Sequence, residues 1–232
     1  RWPAWKAAPI CGVFLVIDLA FFVANAGKIH EGGWFPLAIG AVVLAVMHTW
    51  KVGRAEVFHR VYGNSVTESE LCEIARSRHV TRVTGAAVFM AGSPHGTPIA
   101  LLHHVKSNRA IHQTVVLLSM TTVEVPVVDP ADRLVLTEIG EGIWRVLGRY
   151  GYMESPDATA LLQQVAEKGV PINPQTAIYF FNREMIITGG EARMPEWQKH
   201  LYGFLSRNAR PAKDYYHIPP SQIIEIGTPI HL

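Results

Sequence analysis

With 232 residues, 49% of them hydrophobic and 17% charged, the chain is long enough for one or two domains and a buried core. A formal charge of only +2 supplies no strong field, which excludes nucleic acid and acidic macromolecules as main partners. Its two cysteines, Cys11 and Cys72, lack CxxC or zinc-type spacing, so no disulfide framework is expected and a reducing compartment fits.

The chain opens on Arg1 without the basic, apolar and small-residue order of a signal peptide, and this start reads as a cut in a longer protein. From Ile10 to Ala26 the residues ICGVFLVIDLAFFVANA are apolar except for Asp18 and Asn25, close to the roughly 20 residues that cross a bilayer as a helix. A second run, Trp34 to Trp50, carries an indole at each end, where the water–lipid interface favours it. Neither run has the polar stripe of a soluble surface helix. The connection Gly27–Gly33, GKIHEGG, is short enough to make the two helices antiparallel, with both outer ends on one side. Arg1 and Lys6 precede the first run and Lys51, Arg54 and Arg60 follow the second, while Lys28 in the connection is opposed by Glu31. The excess of positive charge predicts that the outer ends, and everything after them, are cytoplasmic.

Asp18 falls near mid-membrane and Asn25 seven residues on, hence on the same helical face. A polar stripe in hydrocarbon points at protein, either as part of an ion path or as a contact to another helix or a second copy.

After Trp50 the helix runs on through KVGRAEVFHRVYG, and Thr67-x-x-Glu70 is a capping box that starts a helix through about Arg78. Residues 55–79 read as a juxtamembrane connector. From Val80 the texture changes to strand-like VTGAAVFM, helix-like PIALLHHVKSN, then TVVLLSMTTVEV, RLVLTEIG and IWRVLGRY as strands. Ser155–Lys168 reads as a helix ended by Gly169, with Pro156 in its first turn. TAIYFF and EMIIT follow as two strands, and Glu196–Arg207 as a helix whose Trp197, Leu201, Phe204 and Leu205 would bury one face against the sheet. QIIEIG reads as the last strand. The alternation predicts an α/β domain with a mixed sheet over residues 80–232, behind a transmembrane hairpin over residues 1–54.

Chemistry is sparse. The turn AGSPHGTP between a strand and a helix, with Gly92, Ser93, Gly96 and Thr97, is a candidate phosphate-binding turn, although it matches neither GxGxxG nor GxxxxGK[ST] and also fits a plain loop. His95, His103, His104 and His112 crowd one region, but adjacent His103 and His104 diverge by about 100° on a helix, so no metal is expected. Ser93 and Ser119 lack a nucleophile elbow, and the acidic pairs Glu138/Glu141 and Glu184/Glu191 have nothing in sequence to join them. Neither an enzyme nor a cofactor is expected.

The segment FLVIDLAFFVANAGKIHEGGWFPLAIG closely resembles the last two membrane helices of the Kup/HAK/KT family of potassium uptake transporters. GAAVFM, ALLHHVKSNRAIHQTVVLLS, RYGYMESPD, W-x-x-x-L-x-x-F-L-SRNA and IPPSQIIEIGTPIHL resemble successive blocks of that family's cytoplasmic tail, covering nearly the whole chain in order. One block departs: Ser107 and Gln113 stand where the family more often has His and Glu.

The resemblance implies a twelve-helix integral protein of the cell membrane that takes up potassium with protons. Its ion site would lie in the first ten helices, outside this chain. The partners implied are the lipid bilayer, the preceding membrane helices, a potassium ion, a proton and a homodimer mate. The hairpin and tail would then serve as scaffold, dimerising or regulatory parts. A membrane-anchored regulatory domain that binds a nucleotide through the AGSPHGTP turn is the alternative.

Overall fold

The computed structural model describes residues 3–63, 66–190, 192–210 and 215–232. The chain divides into two compact units, Arg1–Lys51 and Val52–Leu232.

The first unit holds helix α1, Ala4–Ala26, and the start of helix α2, Trp34–Tyr62. A 3-10 turn at Gly27–Ile29 and a tight bend join them, with the Gly33 amide donating to the Lys28 carbonyl at 3.0 Å. Glycine is required there: Gly32 has φ 122°, and a Cβ on Gly33 would sit 2.9 Å from the Lys28 oxygen. No residue of α1 is buried, and Phe14, Val16, Phe21, Phe22 and Val23 are all exposed. Both helices are long and apolar enough to span a membrane, over Ala4–Ile29 and Trp34–Val61. At 1.5 Å per residue each exceeds the roughly 30 Å of hydrocarbon.

The second unit is built on a six-stranded sheet in the order β3-β4-β2-β1-β5-β6. Its strands are β1 Thr81–Met90, β2 Ala110–Val123, β3 Leu134–Gly140, β4 Ile143–Gly151, β5 Ile178–Ile187 and β6 Ile223–His231. All neighbours pair in parallel except edge strand β3, which runs antiparallel to β4. Helix α3 is Glu68–Arg76; α4 (Ile99–Asn108), α5 (Ala158–Glu167) and α6 (Glu196–Asn208) are the crossovers after β1, β4 and β5.

Parallel strands covered on both faces need apolar residues at odd and even positions alike. On one face Val88, Val116, Leu118 and Tyr179 meet Ala158, Leu161, Leu162 and Val165 of α5, spaced i, i+3, i+4, i+7. On the other, Phe89, Val115, Leu117 and Phe180 meet Leu71 and Ala75 of α3 and Ala100, Leu101 and Val105 of α4. A third cluster joins Val57 and Val61 of α2, Tyr202 of α6, and Ile230 and Leu232. The stretch 55–79 thus carries buried core residues of this unit.

The winding direction reverses at β1 and β5. The crossover after β1 leads to β2 on one side and the crossover after β5 leads to β6 on the other, so the carboxyl end of β1 lies at a topological switch point.

Local expectations hold with some corrections. Thr67 and Glu70 form a reciprocal capping box, but the helix ends at Arg76. The helix expected from Ser155 starts at Ala158, because Asp157 is its cap and accepts from the Ala160 amide at 2.9 Å. TAIYFF and EMIIT are one strand, since Asn182 and Arg183 stay paired with Ile226 and Gly227 of β6. The largest correction concerns α6. Its buried residues are Gln198, Lys199, Tyr202 and Gly203, while Trp197 and Phe204 are 55% and 57% exposed. Lys199 can lie inside because its ammonium group donates to the Gly190 carbonyl at 2.7 Å and to Glu196 at 2.8 Å.

Candidate functional site

The polar stripe of α1 has two different members. Asn25 is satisfied locally: its amide donates to the Phe21 carbonyl at 2.8 Å and its oxygen accepts from Lys28 at 3.2 Å, which ties the helix end to the connecting turn. Asp18 is exposed, nearly two turns away on the same face. Arg1 lies outside the described residues; Lys6, Lys51, Arg54 and Arg60 are at the outer ends as read from the sequence.

The turn 91–98 follows β1 at the switch point, and most of its polar groups are engaged within the fold. Ser119 of β2 donates to the Ser93 carbonyl at 2.8 Å, and the Ser93 hydroxyl accepts from the His95 amide at 3.3 Å. Arg145, reaching from β4, donates to the carbonyls of Pro94 at 2.8 Å and Gly96 at 3.1 Å and pairs with Glu68 at 2.7 Å. Thr97 donates to the Val66 carbonyl at 2.9 Å. Gly92 is exposed at the tip, and Gly96 has φ 80°. Sequence reading found the turn and missed Arg145. The available signal was a cation at a strand position in register with the fully buried Leu117.

Of the four histidines, His104 and His112 come together, with ring centroids 5.9 Å apart, and both lie against Phe180. Burial pushes both imidazoles below their ordinary pKa, and neighbouring His112 lowers His104 further. Both are therefore neutral near pH 7. His95 is exposed and His103 half-buried, and among the described residues no group of three His, Cys, Asp or Glu side chains could hold a metal ion. Glu138 and Glu141 do not form a carboxylate pair either. Glu141 pairs with Arg76 at 2.9 Å and with Arg82 at 3.7 Å, Glu184 pairs with Arg54 at 3.2 Å, Glu138 is exposed, and Glu191 lies outside the described residues.

The RYGYMESPD block is a structural clamp that sequence reading left without a role. The Glu154 carboxylate accepts from the amides of Gly151 at 2.7 Å and Val128 at 3.0 Å and pairs with Arg133, whose guanidinium also covers the Tyr150 ring. Those two backbone donors, followed by Arg133, hold Glu154 below the usual carboxylate range. The result fixes the loops after β2 and β4 to each other.

Two family models match the chain in order: a K+ potassium transporter integral membrane domain over residues 1–55 and a K+ potassium transporter C-terminal domain over residues 84–232. The chain is 36% identical over 230 residues to probable potassium transport system protein Kup 2 of Syntrophobacter fumaroxidans, covering 99% of this chain and 36% of that protein. It is 39% identical over 237 residues to a probable potassium transport system protein Kup of Anaeromyxobacter dehalogenans, covering 100% and 35%, respectively. A similar protein of Myxococcus xanthus is 39% identical over 228 residues, covering 98% and 35%. The chain therefore spans about a third of the length of these curated relatives. No solved structure matches.

Proposed function

This chain belongs to the Kup/HAK/KT family of potassium transporters, and from that premise we propose that it acts as the C-terminal part of a proton-coupled potassium uptake system. In this reading α1 and α2 are the last membrane helices, and the sheet domain is a cytoplasmic tail that steadies, dimerises or regulates the transporter. The observation that carries the role is the unburied surface of α1. A helix that leaves its whole apolar surface open fits lipid on one side and further protein on the side of Asp18 and Asn25. A carboxylate in hydrocarbon is costly without a partner, so Asp18 is assigned to a contact with another helix and not to the ion path.

The test compares Asp18→Ala with the unchanged sequence in the full-length transporter, reading potassium uptake by a potassium-requiring host and assembly by size-exclusion chromatography. Lost assembly with retained potassium affinity is expected. Intact assembly with altered affinity would instead put Asp18 on the ion path.

A second reading, a regulatory small-ligand site, is supported by the position of the 91–98 turn at the switch point between β1 and β5. Gly92, Ser93, Gly96 and Thr97 would frame a nucleotide phosphate there. A nucleotide at about 100 times its dissociation constant stabilises its site by about 2.7 kcal/mol, so thermal unfolding of the purified chain against a nucleotide panel reads binding directly. An unchanged unfolding temperature with every nucleotide removes this reading.

A further inference from the structure

The outward face of α6 inverts the usual surface pattern. Trp197 and Phe204, seven residues apart and so on one face, are more than half exposed, with Leu201 and Leu205 half-buried beside them. The long cationic Lys199 is turned inward. Scattered exposed apolar residues need no explanation, but a Trp–Leu–Phe–Leu stripe along one helix does.

The location of α6 says what could cover it. Tyr202 packs so closely on Gly53 of α2 that a Cβ at Gly53 would lie 2.2 Å from the tyrosine ring. Gly53 is three residues past Trp50, the last residue of the apolar run, and three residues of chain reach at most about 11 Å. Along the continuous helix α2 three residues rise only about 4.5 Å, less than the roughly 5–8 Å of the headgroup layer on each side of a bilayer, so the chain keeps Gly53 next to the end of the apolar run. The rest of the chemistry agrees. His200 and Arg207 flank the stripe, and the exposed Arg210 lies over the ring of Tyr215, which is also exposed. Indole, phenol and guanidinium groups around an apolar stripe are what an interfacial helix presents to anionic lipid.

We propose that α6 is an interfacial helix: Trp197, Leu201, Phe204 and Leu205 seat in the headgroup–acyl boundary of the membrane that α1 and α2 cross, with Arg207 and Arg210 on anionic headgroups. This rests on the membrane reading of the hairpin and not on the transport role.

The test uses the whole chain, reconstituted in phosphatidylcholine vesicles with about 30% anionic phosphatidylglycerol and acyl chains brominated near the glycerol. The chain holds six tryptophans, and subtracting the Trp197→Phe variant isolates the emission of Trp197. Because Trp197 is exposed, the variant should keep its far-UV dichroism, which is the folding control. Brominated lipid is expected to quench the Trp197 component by about twofold or more, while aqueous acrylamide leaves it largely untouched. Replacing phosphatidylglycerol by phosphatidylcholine, or combining Arg207→Glu with Arg210→Glu, should reduce that quenching. A Trp197 open to acrylamide and blind to bromolipid overturns the proposal, as does one shielded from both, which marks a second copy or another protein on this face. Equal quenching with and without anionic lipid overturns the role given to Arg207 and Arg210.

Discussion

In α1, twenty-three residues pass without a single buried side chain, whereas in β2 the six residues Thr114 to Ser119 are buried without a break. Both are nearly continuous apolar runs in sequence. They differ in length and in what surrounds them. A run that spans a bilayer as a helix can leave its surface to lipid, while a six-residue run in a parallel sheet must be covered by helices on both faces. The contrast teaches that hydrophobicity alone does not distinguish inside from outside; the length of the run and its flanking charges do.

The sharpest way to break this comparison is to truncate a leucine in each region. Leu162→Ala, at the centre of the α5–sheet contact, should cost about 2–5 kcal/mol and lower the unfolding temperature of the sheet domain. Leu15→Ala, on an exposed position of α1, should leave that temperature unchanged. Equal losses would show that the hairpin packs as a soluble core.

Next in size, Arg145→Ala leaves the part-buried carbonyls of Pro94 and Gly96 without this donor and should cost about 1–3 kcal/mol, with faster amide exchange confined to residues 91–98. Unchanged exchange there would mean that the turn is held without its clamp. Thr67→Ala removes the cap of α3 and should cost about 1 kcal/mol, read as a small fall in the denaturant midpoint.

The smallest effect is a pH dependence from His104 and His112. Their folded pKa values are depressed, so as pH falls through about 6.5 the unfolded chain takes up protons that the folded domain refuses. Stability should therefore fall as pH drops below neutrality, until the folded pKa values are passed. The double variant His104→Phe, His112→Phe should flatten this slope in thermal unfolding at pH 5.5–7.5.

Much of the fold was legible because the signals are local. The two apolar runs, the Gly32–Gly33 bend, the Thr67–Glu70 box and the Ala158–Val165 spacing each act over a few residues. What failed was decided across strands and helices. The pairing of Asn182 and Arg183 with β6 fused two expected strands into one, and the contact with Gly53 turned Tyr202 inward on α6, so that the more apolar stripe faced out. Arg145 escaped notice because its partners, Glu68, Pro94 and Gly96, are 49 to 77 residues away in sequence.

By itself the sequence determined the two membrane-length apolar helices and the family of the chain, since run length and ordered motif blocks are properties of the chain read in one dimension. Tertiary structure alone decided which polar groups are spent inside the fold and which face of α6 is free. Those depend on long-range contacts, here the packing of Tyr202 against Gly53 and the cluster of Val57, Val61, Ile230 and Leu232.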